Sequence, residues 1–179
     1  TSPLPPSLPG YDPASAETSL PFDREAAAAL LDEAGWVAGA DGVRVQDGER
    51  LELRIVAYTG DEIVRDSELL QNNLRAIGVD ASIEVYERAL QTSMVLAGDY
   101  DIAPLGWTYG DPDVLFFLFH STQWPNGLNY GAVNDPELDR VLELGRATVV
   151  DEDRMRVYHD AQRIYNEQAY GIQVYVRET

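Results

Sequence analysis

Apolar residues recur every three or four positions from 61 to 77, which predicts an amphipathic helix that ends at Gly78. Residues 79–86 then alternate between apolar and polar side chains and predict a strand. Residues 87–97 have a helical composition, and 100–105 form a short apolar segment that predicts another strand. Together with a strand over 51–58, this order predicts βαβ units and a sheet that is at least partly parallel.

The segments on either side of this core have their own signals. Asp23 is a good N-cap for a helix that Gly35 ends, and residues 37–58 predict a hairpin whose longer arm is 51–58. Asp135-Pro136 is a helix start with proline at the first position, and a second helix follows from Asp151.

Two further segments follow from the pattern. The very apolar run 114–119 predicts a buried helix or an interface between lobes, and the alternation over 172–176 predicts a final strand. Residues 1–22 carry six of the ten prolines and predict an extended connector rather than a packed element. We therefore expect a connector over 1–22 and a single α/β lobe over 23–179.

The charge balance limits the choice of partner. The chain has 31 acidic and 13 basic residues, all of the latter arginines, and a net charge of −18. Phosphates would be repelled, which argues against nucleic acid and against an anionic membrane surface. The absence of cysteine excludes a disulfide framework and a cysteine-ligated metal, and no apolar run approaches the length of a membrane span.

Catalytic signals are weak. The chain lacks a Gly-x-Ser-x-Gly elbow and a phosphate-binding glycine loop, and we expect His120 and His159 to be structural. Asp111 and Asp113 lack the further ligands of a calcium loop. A carbohydrate-active or other hydrolase with paired carboxylates stays open as an alternative, because such partners can lie far apart in a sequence.

The strongest candidate for a ligand site is the stretch 98–113, a short apolar segment that leads into a polar and aromatic loop. In α/β proteins ligands bind where strands end in such loops. Trp107 and Tyr109 offer flat apolar faces, and Asp111 and Asp113 add carboxylates. A second loop, 121–131, is rich in amides and aromatic residues, a composition suited to contact with a polar ligand or to turn formation alone.

Five stretches together resemble a known family. The helix in 21–36, the turns in 41–53 and the helix-to-strand junction at 74–79 are followed by a "GDYD…GW…DPD" pattern in 98–113 and an "NY…NDPELD" pattern in 129–139. In this order they resemble the C-terminal portion of the extracytoplasmic solute-binding proteins of ABC importers, family 5, which bind peptides or nickel. The resemblance implies a type II periplasmic-binding-protein lobe, α/β with a mixed sheet flanked by helices, as a fragment of a larger two-lobed protein.

The resemblance also implies a function and a site. The lobe would form one wall of a cleft that binds a small solute, with no catalytic residue, metal or cofactor, and the full-length protein would work with a membrane permease outside the cytoplasm, in the periplasm or as a cell-surface lipoprotein. Its signal and anchor would lie outside this chain. Ligand contact is carried over to Trp107, Thr108, Tyr109 and Asp111, and less directly to Asn129.

One departure from the family pattern concerns the ligand. Dipeptide binders place an aspartate three residues after the tryptophan to pair with the amino terminus of the peptide, and here that position is Gly110. The loop before Asp-Pro-Asp is also shorter, so Asp111 would take this role only with a shifted backbone. The solute therefore stays open between peptides, oligosaccharides and metal chelates.

Overall fold

The computed structural model describes residues 2–108 and 110–175. The chain divides into two compact units, which we call the middle unit (Phe22–Gly106) and the terminal unit (Thr1–Pro21 with Trp107–Thr179). The mixed α/β content agrees with the predicted fold class, but the division into units differs from the expected connector and single lobe.

The middle unit contains two small sheets. Strands β1 (Val37–Ala38), β2 (Arg44–Gln46) and β3 (Glu49–Arg50) form an antiparallel sheet in that order. Strand β4 (Glu52–Tyr58) pairs in parallel with β5 (Asp80–Tyr86), in register from Glu52 opposite Asp80 to Tyr58 opposite Tyr86. The predicted hairpin is therefore corrected: its second arm is β3, and the following residues leave it to form a separate parallel pair.

The expected third strand of the parallel sheet is reduced to one bridge. Ile102 lies beside Ile55 in parallel, where Val56 N donates to Ile102 O at 2.8 Å and Ile102 N donates to Arg54 O at 3.0 Å. Pro104 has no N–H to continue the ladder, so the pairing ends here.

The middle-unit helices agree with the predicted positions. They are α1 (Arg24–Glu33), α2 (Asp61–Ala76) and α3 (Arg88–Ala97). Asp23 caps α1 by accepting a hydrogen bond from Ala26 N at 2.9 Å, and Gly98 ends α3 in the left-handed conformation at φ 72°.

One buried side chain connects these elements. Arg44 on β2 has a side chain only 9% exposed, and it forms an ion pair with Asp32 on α1. Its Nη1 donates to Trp36 O at 2.5 Å, its Nη2 to Ala28 O at 3.1 Å and its Nε to Ile77 O at 2.7 Å. Trp36 O and Ile77 O lie just beyond the ends of α1 and α2, where helices favour a cation, whereas Ala28 O lies in the middle of α1.

The terminal unit is helical. It contains α4 (Val114–Phe119), α5 (Pro136–Ala147) and α6 (Asp151–Glu167), with short 3₁₀ helices at Pro13–Thr18 and Ser121–Gln123. The apolar run in α4 supplies Val114, Leu115 and Phe116 to a core that also contains the buried faces of α5 and α6. The expected helix at 114–119 is present, and its first three residues are buried, whereas Phe117 is exposed.

The first residues of the chain pack against α6. Leu4 is 1% exposed within the core, and Gln162 on α6 is fully buried. Gln162 Oε1 accepts from Ser2 Oγ at 2.7 Å, and its Nε2 donates to Gly10 O at 2.6 Å. This segment is thus not the unpacked connector that its proline content predicts, because α6 presents polar side chains that match its backbone groups.

The predicted final strand is not present in the described part of this stretch. Residues 172–175 belong to no strand, and Ile172 and Val174 are exposed; Val176 lies outside the described residues. Alternation alone supplies no neighbouring strand to pair with. Among the residues that the structure describes, none lies in a helix long and apolar enough to cross a membrane.

Arg44→Met should destabilise the middle unit by about 3 kcal/mol, because three partly buried carbonyls lose their donor and Asp32 loses its partner. The measurement is urea unfolding followed by fluorescence of Trp36 with Trp107 and Trp124 replaced by phenylalanine. Arg50→Met is the control, since Arg50 pairs only with exposed carboxylates, and its effect should be much smaller. Equal losses from both variants would contradict the role given to Arg44.

Gln162→Met should loosen the segment before Phe22, at a cost of about 3 kcal/mol, because Gly10 O and Ser2 Oγ are left buried without their partner. Limited proteolysis should then cut this segment at a lower protease concentration. Gln168→Met, at an exposed position just after α6, is the matched control. Unchanged cleavage of the Gln162 variant would show that the segment is held by its apolar contacts alone.

Candidate ligand-binding site

An aromatic pair lies where the sequence predicts ligand contact. Trp107 stacks on Tyr130, with ring centroids 5.8 Å apart and 28° between the ring planes. Trp107 is 41% exposed, so the pair presents aromatic surface to solvent. Thr108 follows Trp107 directly and is also exposed, whereas Tyr109 lies outside the described residues.

Tyr130 is the member of this pair that sequence reasoning missed. The amides and aromatic residues of its loop indicate a ligand-contacting surface, but the family resemblance assigns ligand contact to the neighbouring Asn129. Stacking against Trp107 brings together residues far apart in the chain, and no local pattern specifies that contact. The composition of the loop was the available signal.

Asn129 is fully buried and supports the loop from within. Its Nδ2 donates to His120 O at 3.1 Å and to Val133 O at 2.8 Å, and its Oδ1 accepts from Val133 N at 2.9 Å. These bonds use both ends of the amide inside the protein. The expectation of ligand contact is therefore corrected for the Asn129 side chain, because its burial and its partners assign it to holding the loop that carries Tyr130.

Asp111 is paired with an arginine of α6. Arg154 Nη2 donates to Asp111 Oδ1 at 2.6 Å and Arg154 Nη1 to Asp111 Oδ2 at 3.3 Å. The hydrogen bond from Arg154 lowers the pKa of the Asp111 carboxyl below its usual range, despite opposing partial burial. Both carboxylate oxygens are therefore engaged within the terminal unit.

Asp113 has a comparable set of partners. Its Oδ1 accepts from Tyr158 Oη at 3.1 Å and lies 3.2 Å from Arg146 Nε. Burial, together with the charge of Asp113, raises the pKa of the Tyr158 hydroxyl to about 12, so this hydroxyl stays protonated as a donor. The arginine side chain of this pair also stacks over the Phe116 ring, with Cζ 4.0 Å from its centroid.

An open cavity of about 450 Å³ lies beside these ion pairs. Its lining combines a phenylalanine face with charged groups and consists of Gly110, Asp111, Asp113, Val114, Phe117 and Arg154. Gly110 contributes open space, since a Cβ there would meet no atom within 4 Å. The cavity thus begins at Gly110, three residues after Trp107, and is bounded by the Asp111–Arg154 ion pair and by Asp113.

His120 lies inside the terminal unit. It is buried and stacks on Phe116 with ring centroids 4.2 Å apart, and its Nδ1 lies 2.8 Å from Thr122 Oγ1. Among residues 2–108 and 110–175, no three histidine, aspartate or glutamate side chains come together in an arrangement that would hold a metal ion.

Comparison with known proteins identifies relatives. Residues 1–128 match the family of bacterial extracellular solute-binding proteins, family 5 Middle. Di/tripeptide-binding protein 2 of Pseudomonas aeruginosa is 31% identical over 171 residues, which is 93% of this chain and 30% of the relative. The chain spans about 30% of the length of the curated relatives it matches.

Two solved structures share the fold. The oligopeptide-binding protein AppA of Bacillus subtilis, in complex with a nonapeptide, has a TM-score of 0.84 at 22% identity, over 94% of this chain and 34% of AppA. NikZ of Campylobacter jejuni, in complex with Ni(L-His), has a TM-score of 0.76 at 28% identity, over 83% of this chain and 31% of NikZ. The family match covers more than half of the chain and includes the loop of Trp107. The chain therefore belongs to the bacterial extracellular solute-binding proteins of family 5.

Proposed function

We propose that this chain is part of the substrate-capturing component of an ABC importer, a two-lobed protein that closes around a short peptide. Membership of a family of extracellular solute-binding proteins supports a binding role. Because the chain spans about 30% of its relatives, it would supply one wall of the cleft and the rest of the full-length protein would supply the other.

The exposed aromatic pair carries this proposal. A Trp107 face at 41% exposure, held by Tyr130, gives a flat apolar surface on which an apolar or aromatic side chain of a ligand can stack. The Thr108 hydroxyl can hydrogen-bond to a peptide group beside it, and Tyr109 stays a proposed contact of the same wall. Closure of the cleft would exclude water and strengthen these contacts.

Peptide is the favoured ligand class, and a metal chelate is the second. The relative from Pseudomonas aeruginosa is named as a di/tripeptide-binding protein, and the NikZ structure contains Ni(L-His). A purely aromatic and polar wall suits a peptide, whose side chains supply apolar surface for Trp107. A nickel–histidine complex would instead present its histidine ligands to the wall.

Binding is favoured over the hydrolase alternative. A paired-carboxylate hydrolase needs one protonated and one ionised acid that face the substrate. Asp111 is engaged by Arg154 and Asp113 lies beside Arg146 and Tyr158, so both acids are held by partners of the terminal unit. The full-length protein would deliver its solute to a membrane permease, in the periplasm or as a cell-surface lipoprotein.

Trp107→Ala should weaken peptide binding at least tenfold, about 1.4 kcal/mol, because the ligand loses its stacking surface. The measurement is calorimetry of the full-length protein with the tripeptide Ala-Phe-Ala and, separately, with Ni(L-His). Binding of the peptide alone assigns the ligand class, and binding of the nickel complex alone reassigns it.

Phe22→Ala is the control, because Phe22 is an exposed aromatic side chain outside both candidate loops, 98–113 and 121–131. Its affinity should stay within about twofold of the parent protein. Equal losses in both variants would remove the specific role of Trp107, and absence of binding to both ligands in the parent protein would remove the proposed solute classes.

A further inference from the structure

We propose that Arg154 is a positioning residue for ligand binding, which fixes the loop of Trp107 and Thr108 by holding Asp111. This inference rests on the proposed function for its effect on affinity. It also changes the role of Asp111, from a group that contacts the ligand to a group that anchors the wall.

The geometry of Arg154 is that of a fixed clamp. Its two terminal nitrogens bond to both oxygens of Asp111, at 2.6 Å and 3.3 Å, and its Nε donates to Gly145 O at 3.3 Å. Its Cζ lies 5.2 Å from the centroid of the Tyr158 ring. A planar guanidinium held at all three nitrogens has little freedom to turn toward a ligand, because each contact fixes its orientation.

The residues after Asp111 provide a second and a third anchor. Pro112 is fully buried and packs beside Gly10, where a Cβ would lie 3.2 Å from Pro112 Cβ. Asp113 is held by Tyr158 and Arg146, and its N donates to Asp111 Oδ1 at 2.8 Å. The segment 111–113 is therefore fixed to α5, α6 and the N-terminal residues of the terminal unit.

The loop that precedes this anchor depends on it for its position. Residues 103–108 belong to no helix or strand. Trp107 lies four residues before Asp111, a distance of chain that reaches at most about 14 Å. Two fixed points therefore restrict Trp107: the stacking contact with Tyr130 on one side and the Asp111 clamp on the other.

The ion pair also determines which charge the wall presents. With Arg154 in place, the negative charge of Asp111 is balanced inside the terminal unit. Without it, an unpaired carboxylate would line the adjacent cavity of about 450 Å³. If Asp111 contacts an ammonium group of the ligand directly, removal of Arg154 frees the carboxylate and should not weaken binding. If Arg154 clamps Asp111, removal of Arg154 should weaken binding, so the two roles can be separated.

Hydrogen exchange of the full-length protein without ligand tests the clamp independently of the proposed function. Arg154→Gln should raise deuterium uptake at least fivefold at residues 113–115, whose amides donate to Asp111 Oδ1, Asp111 O and Pro112 O, and leave the helices of the middle unit unchanged. Arg154→Lys keeps the charge but not the two-pronged geometry, and its uptake should fall between those of the parent protein and Arg154→Gln.

Arg156→Gln is the matched control, because Arg156 lies on the same helix and, among the described residues, pairs only with Glu152 and Asp153. Uptake unchanged at residues 113–115, or raised equally across α5 and α6, would overturn the proposal.

Calorimetry with Ala-Phe-Ala then tests the effect on affinity. Arg154→Gln and Asp111→Asn should each weaken binding about three- to tenfold, and the double variant should bind no worse than either, because both remove one interaction. A loss above 100-fold in Asp111→Asn with normal binding in Arg154→Gln would instead assign Asp111 to the ligand. If the parent protein binds no peptide, the proposed function fails while the exchange result still decides the clamp.

The pH dependence of affinity is a readout that a general loss of stability would not reproduce. The ionisable groups near Asp111 are Arg154 on α6 and Asp113 in its own segment, and Tyr158 and Arg146 contact Asp113. Because Arg154 lowers the pKa of Asp111, the clamp is complete above the ordinary carboxyl range and is lost only as the pH falls through the lowered value. The affinity advantage of the parent protein over Asp111→Asn should therefore be constant above about pH 5 and shrink below pH 4. An advantage that does not change with pH would contradict the clamp.

Discussion

Within each of the two units, hydrogen bonds from buried polar side chains to irregular backbone stabilise the packing. Carbonyl groups at helix ends and in loops need partners once they are removed from water. Arg44 supplies donors to two such carbonyls in the middle unit, Trp36 O and Ile77 O, and Gln162 and Asn129 do the same for two segments of the terminal unit. Long connections can therefore pack closely without forming regular structure.

The candidate site follows from this arrangement. The loop of Trp107 has no regular structure, so its position comes from side chains on neighbouring elements, namely the stacking ring of Tyr130 and the clamp of Arg154. Asn129 in turn fixes the loop that carries Tyr130. Residues of the predicted site thus divide into those exposed for contact and those that hold them, and this division decides which substitutions would alter specificity rather than stability.

Much of the fold was accessible from local signals. Apolar spacing predicted α2, and the caps at Asp23 and Asp135 are formed as expected, with Asp135 accepting from Glu137 N at 2.8 Å. The predicted hairpin was wrong, and the predicted final strand is not formed in the described residues. Strand pairing depends on a neighbouring strand, which alternation does not identify. The packing of the first 21 residues was missed because their proline content says nothing about the polar groups that α6 presents to them.

The sequence by itself determined the family and the order of most elements and pointed to Trp107 as a candidate contact, because those features follow from motifs and from the period of apolar residues. Only the tertiary structure shows the contacts of the polar residues of the proposed site. Asp111 and Asn129 have side chains well suited to a ligand, but the partner of Asp111 lies 43 residues away in the chain and Asn129 is buried. The partners and the burial of a carboxylate or an amide determine how much of its hydrogen-bonding capacity is left for a ligand, and they depend on distances in space that sequence separation does not encode.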